Sequence, residues 1–347
     1  MNTEISIIRP DDWHLHLRDG EMLGAVLPSS ARIYGRALIM PNLVPPVTTA
    51  KLAESYRKRI KEALPEGSDF KPLMTCYLTD STSEKDIHTA YAVKAFHAAK
   101  LFPSGATTNS ENGVTDIKNV YPVLEAMQEI GMPLSVHGEV TDPEVDIFDR
   151  EAVFIEQVLE PVRRDFPELK IIFEHLTSKS GVDYVFEQDE YLAATITPHH
   201  LLLTRNDLFA GGMNPYMYCL PVAKTFEDRE AIHKAAISGD KRFFLGTDSA
   251  PHPARMKEKV GAAAGIFNAP TSIGYVTQVF EELDALDKLE GFTSIYGAGF
   301  YGFLPNGSTI TLAKQEEPVE MNWQIKVGGD VVKIFKPDTP LFWDLVD

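Results

Sequence analysis

The chain has 347 residues, 44% of them hydrophobic and 24% charged, with a formal charge of −17 at pH 7. That length suits one large α/β barrel or two ordinary domains, and the composition is that of a globular protein. The acidic balance argues against nucleic-acid binding, which needs clustered lysine and arginine, but leaves an anionic small substrate open, because a metal centre is locally positive even in an acidic protein. Two cysteines, Cys76 and Cys219, lie inside apolar runs, and so few predict a reducing, cytoplasmic location. Residues 1–10 hold no basic segment followed by an apolar one, so no signal peptide is expected, and no run approaches the roughly 18 apolar residues of a membrane span.

An apolar run at 5–8 predicts a short opening strand leading into Asp11-Asp-Trp-His-Leu-His-Leu-Arg18. In an extended segment residues i and i+2 point the same way, so His14 and His16 present two imidazoles to one point, as a divalent metal requires of neutral nitrogen ligands. By itself the pair is a weak signal, and two polar residues at a strand end is the plainer reading. A second strand is predicted over 36–42, ending at Pro41-Asn42, and Thr48-Thr49 predict the N-cap of a helix to residue 64. The third strand is expected at 71–78, a helix at 83–93, and the fourth strand at 95–102. A small polar loop at 104–113 follows, then a helix capped by Asp116 and ended by Gly131.

The fifth strand is expected at 133–140, a helix at 150–166, and the sixth strand at 170–176. A short helix at 179–187 precedes the seventh strand, 191–197, which ends in Pro198-His199-His200. A long irregular loop, a helix at 226–238 and the eighth strand at 241–245 follow, then Gly246-Thr-Asp-Ser-Ala-Pro-His252. The tail is expected to hold a helix at 273–289 and a hairpin turning at Gly328-Gly329 between 323–327 and 331–335.

Eight short, apolar, β-branched strands, most followed by a helix, predict an α/β fold of the (β/α)8 barrel type. It is expected as a single domain over 1–347, with a C-terminal extension of about 290–347 packed on it. On that map His14 and His16 close the first strand, Asn42 the second and Lys100 the fourth. His137 lies near the end of the fifth and His175 of the sixth, and Asp248 and His252 follow the eighth. All fall at the C-terminal ends of strands, where barrel active sites are assembled. One buried histidine is usually a satisfied core residue. Four histidines, a lysine and an aspartate on one face are poorly explained that way. His88, His97 and His233 fall on helices or mid-strand and read as structural or surface residues. His199-His200 reads at most as a supporting pair.

The order His-x-His, fourth-strand Lys, fifth-strand His, sixth-strand His, eighth-strand Asp resembles the amidohydrolase superfamily. A closer resemblance rests on Arg-Pro-Asp-Asp-Trp-His-Leu-His-Leu-Arg at 9–18, Met-Pro-Asn at 40–42, Ala-Ala-Lys-Leu-Phe-Pro at 98–103, Ala-Thr-Thr-Asn-Ser at 106–110, Val-His-Gly-Glu at 136–139, Glu-His at 174–175 and Gly-Thr-Asp-Ser-Ala-Pro-His at 246–252. Together these are similar to the dihydroorotase family of the short bacterial, stand-alone type, across nearly the whole chain and with no departure at a functional position.

The resemblance implies two Zn²⁺ per subunit: one on His14, His16 and Asp248, the other on His137 and His175, with Lys100, carboxylated on its side-chain nitrogen, bridging them. A free ammonium, of ordinary pKa about 10.4, repels dications and has no lone pair, whereas a carbamate is an anionic two-oxygen bridge. A charged Lys100 paired with an acidic neighbour is the other reading and suits such a site less well. The implied reaction is the reversible hydrolysis of dihydroorotate to carbamoyl aspartate in pyrimidine biosynthesis, with Asp248 as general base and then acid.

Arg18 can fork onto a substrate carboxylate if the strand stays extended beyond His16; otherwise it pairs with Asp11 or Asp12. The resemblance adds Asn42 and His252 to that pocket and assigns ring contacts to the backbones of Leu220 and Ala264. The small, polar composition of the loop with Thr107-Thr108 at its centre suits a mobile lid and equally an ordinary flexible βα loop; the resemblance implies the lid. Hydantoinase- or allantoinase-like hydrolases share the ligand set; Arg18, Asn42, His252 and the threonine loop are what distinguish this chain from them. A catalytically dead barrel acting as a scaffold is the reading from another class, and a homodimer is expected by resemblance only.

Overall fold

Eight parallel strands follow one another in chain order through a single sheet in the computed structural model, which describes residues 3–346. The chain opens with β1 (Glu4–Ile8), outside this sheet. The eight are β2 (Asp11–Leu15), β3 (Arg36–Ile39), β4 (Lys71–Tyr77), β5 (Ala98–Leu101), β6 (Leu134–Val136), β7 (Ile171–Phe173), β8 (Leu192–Ile196) and β9 (Phe243–Leu245). The sheet curls back on itself where Asp248 N donates to His14 O at 2.9 Å and His16 N donates to Ser249 O at 3.2 Å. This is the α/β barrel that the alternating pattern predicts.

Two apolar clusters explain why these segments are strands. Leu15, Ile39, Met74, Ala99, Val136 and Phe173 face outward and pack against the surrounding helices. Trp13, Leu38, Leu73, Ala98, Ile172 and Phe244 fill the barrel interior below the site, where Tyr301 stacks on Trp13 at 4.4 Å between ring centroids. Alternate residues of buried strands thus serve two cores. The register of β2 against β3 shifts between Asp12 and Leu15. Such an irregularity re-aims side chains, so Trp13 joins the interior layer while His14 and His16 reach the upper face.

The run at 5–8 is not the first barrel strand. It lies in β1, which pairs antiparallel with β10 (Thr309–Lys314), and β10 pairs with β13 (Trp343–Leu345). Pro10, which lacks an N–H, separates β1 from β2. The tail hairpin is β11 (Gln324–Val327) with β12 (Asp330–Lys333). Leu312, Val332, Ile334 and Trp343 are buried in the same cluster as the outward-facing barrel residues.

Several strands are shorter than expected: β6 and β7 have three residues each and β3 stops before Asn42. His16, Asn42, His137, His175 and Asp248 therefore stand just past strand ends, whereas His14 and Lys100 lie within the last residues of β2 and β5. A helix over Gly20–Ile33, capped by Asp19 and carrying Pro28 inside it, fills a stretch for which no helix was expected. The helix expected at 273–289 breaks into Ser272–Glu282 and Leu286–Glu290 around Asp284, whose φ is 54°. Both cysteines are buried and free. No helix among the described residues is long and apolar enough to cross a membrane.

Candidate active site

The end of β2 and the segment after β9 are fastened together by a buried carboxylate. Asp12 accepts from Thr247 N at 2.8 Å, Thr247 Oγ1 at 2.5 Å and His14 N at 3.1 Å. This fixes Asp248 opposite the histidine pair: its Oδ1 lies 3.2 Å from His14 Nε2 and 3.1 Å from His16 Nε2, and the two Nε2 atoms are 3.1 Å apart. Asp248 has φ 43°, His175 φ 46° and Arg18 φ 58°. Such left-handed backbone on non-glycine residues is uncommon and gathers at functional sites. His175 is held from outside by Thr195 Oγ1, which accepts its N–H at 2.8 Å, and Glu151 accepts from the backbones of Thr177 and Ser178 just beyond it. The rings of His137 and His175 are 4.8 Å apart and those of His14 and His175 5.2 Å.

Burial sets the charge states. It holds His14 and His175 below the usual histidine range and His16 at about 3, so these imidazoles keep free lone pairs at neutral pH. Burial would raise Asp248, but His14 and His16 beside it outweigh this and hold its carboxyl well below the usual range. Lys100, fully buried, is pushed well below the ordinary lysine value by desolvation. Its Nζ contacts Glu174 Oε2 and lies 4.9 Å from the centre of the Phe102 ring. In the unmodified chain, then, Lys100 does have an acidic neighbour.

The donor set fits a metal. His14, His16 and Asp248 present ligand atoms all within 4.8 Å of one another, as do His14, Glu174 and His175. His14 Nδ1, His175 Nδ1 and Glu174 Oε1 are buried without a hydrogen-bond partner, although His14 Nδ1 lies 3.2 Å from Glu174 Oε1 in an unsuitable orientation. Buried polar atoms are nearly always satisfied, and lone pairs of neutral imidazoles crowded against one carboxylate oxygen call for a cation. The second group includes Glu174, whereas His137 donates through Nε2 to Glu139 Oε2 at 2.9 Å, which leaves its other ring nitrogen as the acceptor. Glu139, Glu174 and Asp12 lie inside the motifs Val-His-Gly-Glu, Glu-His and Asp-Asp-Trp, yet their roles were not read from the sequence. Only their acidic type beside a histidine could have suggested them.

One cavity is lined by His14, His16, Arg18, Asn42, Thr107, Thr108, His137, His175, Leu220, Asp248 and Ala264. Arg18 reaches it by another route than the one expected. The strand does not continue past Leu15; the chain turns left-handed at Arg18, whose carbonyl accepts from Tyr56 OH at 2.6 Å. The guanidinium donates to Pro251 O at 3.2 Å and lies 3.1 Å from His252 Nε2 and 3.4 Å from His16 Nδ1. Among the described residues no carboxylate pairs with it: Asp11 binds Arg36 at 2.6 Å and Asp12 binds Thr247.

His252 stands behind Arg18, and burial, with Arg18 beside it, lowers it to about 2. Its Nε2 is also 2.9 Å from Ala264 O. One ring nitrogen thus stands between two partners: with Nε2 protonated it donates to the Ala264 carbonyl, and with Nε2 unprotonated it accepts from Arg18. The 104–113 loop is folded over the cavity: Asn42 Nδ2 donates to Thr108 O at 2.9 Å, Asn109 Nδ2 to Asn42 O at 3.0 Å and Thr108 Oγ1 to Ala264 O at 3.2 Å. His199 and His200 are buried and absent from the cavity lining. His200 is 2.8 Å from Thr197 Oγ1 and 3.1 Å from Pro221 O, while His199 Nδ1 accepts from Asn268 at 3.0 Å.

With this geometry in view, similarity to known proteins becomes specific. Residues 6–312 match the model of the amidohydrolase family. A dihydroorotase of Chelativorans sp. (strain BNC1) is 55% identical over 343 residues, covering 99% of each chain. The crystal structure of a dihydroorotase from Campylobacter jejuni is similar with TM-score 0.90 and 35% identity, covering 100% of this chain and 98% of that one. That of a Saccharomyces cerevisiae dihydroorotase in complex with 5-fluoroorotic acid gives 0.89 and 36%, covering 99% and 98%. The chain belongs to the amidohydrolase family and, within it, to the dihydroorotases.

Proposed function

We propose that this chain interconverts dihydroorotate and N-carbamoyl-L-aspartate, a ring-forming step of pyrimidine biosynthesis, in the cavity lined by His14, Arg18 and Asp248. The observation that carries this reading is Arg18: a half-buried guanidinium that forms no ion pair among the described residues and is directed into a cavity beside the histidine cluster. Such a group awaits an anion, since a partly buried charge left unpaired is costly. The bound 5-fluoroorotic acid of the yeast relative is a pyrimidine carboxylate of the matching kind.

We assign one Zn²⁺ to His14, His16 and Asp248 and a second to His137 and His175, with Lys100 as a carbamate between them. Bound there, the metals would supply Lewis-acid polarisation of the substrate amide and a water of lowered pKa. The rest falls to the side chains. Burial favours the neutral Lys100 amine, the form that can add to carbon dioxide with release of one proton. Asp248, kept ionised by His14 and His16, takes a proton from the attacking water and hands it to the ring nitrogen as the amide bond breaks. Arg18 and Asn42 hold the carboxylate, and His252 fixes the guanidinium. The Ala264 carbonyl and the Leu220 backbone meet the ring. Thr107 and Thr108 close the cavity and keep bulk water out. In reverse, the same groups close the ring with loss of water. The reading includes a homodimer, supported by the family resemblance, and a cytoplasmic location, supported by two unpaired, buried cysteines.

The test follows dihydroorotate through loss of its ultraviolet absorbance, with hydantoin and allantoin alongside. Wild type is expected to consume dihydroorotate and ignore the other two, and Arg18→Met to raise KM by roughly 10²-fold, as for loss of one partner of a buried charge pair. Turnover of hydantoin without dihydroorotate would leave the metal reading standing and refute the substrate.

A further inference from the structure

We propose that Lys257 is a positioning residue for substrate recognition, its ammonium orienting the peptide units of 263–265 so that the Ala264 carbonyl faces the cavity. This rests on the reading of that cavity as a dihydroorotate site. Lys257 is only 3% exposed. Its Nζ donates to Tyr218 O at 2.9 Å, Ala263 O at 2.8 Å and Gly265 O at 2.7 Å. Those bonds use all three of its N–H groups. Among the described residues it has no carboxylate partner, so three peptide dipoles do the work of a counter-ion. Burial lowers the ammonium to about 8, which leaves it mainly charged at neutral pH.

The direction of the middle carbonyl gives this arrangement its consequence. The carbonyls of 263 and 265 face one ammonium, and the carbonyl between them faces the other way. There it lies 2.9 Å from His252 Nε2 and accepts from Thr108 Oγ1 at 3.2 Å. The stretch is pressed against its support at Gly265. There φ is 144°, and an added Cβ would lie 2.8 Å from Ala250 O and 2.9 Å from His252 Cδ2. The Tyr218 carbonyl that Lys257 holds also accepts from Gly265 N at 3.1 Å. One ammonium therefore joins the segment carrying Leu220 to the segment carrying Ala264, both of which line the cavity, without being part of that lining itself.

The experiment measures KM, kcat and metal content for wild type, Lys257→Met and Lys257→Gln, with amide hydrogen exchange across 262–266. Lys257→Met is expected to raise KM for dihydroorotate about tenfold while kcat stays within about threefold, the pattern of lost uniform binding. Metal content should hold, and residues 263–265 should exchange faster. Lys257→Gln, which keeps two donors, should fall between the two and carries the test if the Met variant does not fold. An unchanged KM with only a lowered melting temperature would make Lys257 a purely structural residue and overturn the proposal. If wild type does not act on dihydroorotate, the substrate reading is what fails, and unchanged exchange at 263–265 would then refute the positioning role on its own.

Discussion

Asp248 combines two properties that a proton carrier needs: the histidines beside it keep it ionised, and a left-handed backbone aims it at them. Asp248→Asn keeps the shape and removes the base, so kcat should fall by about 10²–10⁴-fold, as for loss of a general acid–base; steady-state kinetics with metal analysis checks this. The residue scale also yields a pH effect away from the metal cluster. Burial lowers His97 to about 4, with Arg57 and Lys94 adding to it. Between about 6.5 and 4 the unfolded chain binds a proton there that the folded chain refuses, so stability falls as pH falls through that window. His97→Gln should flatten the decline in melting temperature over the same range. A decline as steep as wild type's would contradict the shift. At this scale the six ligand candidates and Arg18 were legible because histidine spacing and strand ends carry a chemical meaning. The roles of Glu174, Glu139 and Lys257 were not, because an acid or a lysine acquires its role from neighbours distant in sequence.

Individual elements show where sequence patterns run out. Alternation and turn residues located every barrel strand after the first within a few residues. They overestimated β6 and β7, whose ladders end where the polar residues His137 and Glu174 begin. The run at 5–8 has the same composition as a barrel strand, but its partner, β10, lies some 300 residues away, and no local signal reveals that. Asp12 is a buried link between elements near the site. Asp12→Ala would leave the buried N–H groups of His14 and Thr247 without acceptors, at about 1–3 kcal/mol each. Denaturant unfolding should show a loss of about 2–5 kcal/mol, together with reduced metal retention. The 104–113 loop belongs to this scale as well. Thr108→Val removes its side-chain bond to Ala264 O, and kcat/KM should drop about tenfold with metal content intact.

For the whole molecule, the barrel brings to one cavity residues spread from His14 to Ala264. The order of the strands was enough to show this, since a right-handed βα succession closes in one way. The sequence could not show that the loop lies folded over the cavity or that the first and last strands share a sheet, because both depend on contacts between distant segments. A centre assembled from so many elements ties folding to its occupancy. Removal of metal by a chelator should abolish activity and lower the melting temperature, and added zinc should restore both.

The most direct test of the account is the metal stoichiometry of wild type beside Lys100→Ala, with ¹³C NMR of both after growth with labelled bicarbonate. About two zinc ions per chain and a carbamate resonance are expected in wild type, and loss of both, with all activity, in the variant. Wild type that turns over dihydroorotate with no metal bound, or a Lys100→Ala protein that keeps its metal and its rate, would contradict it.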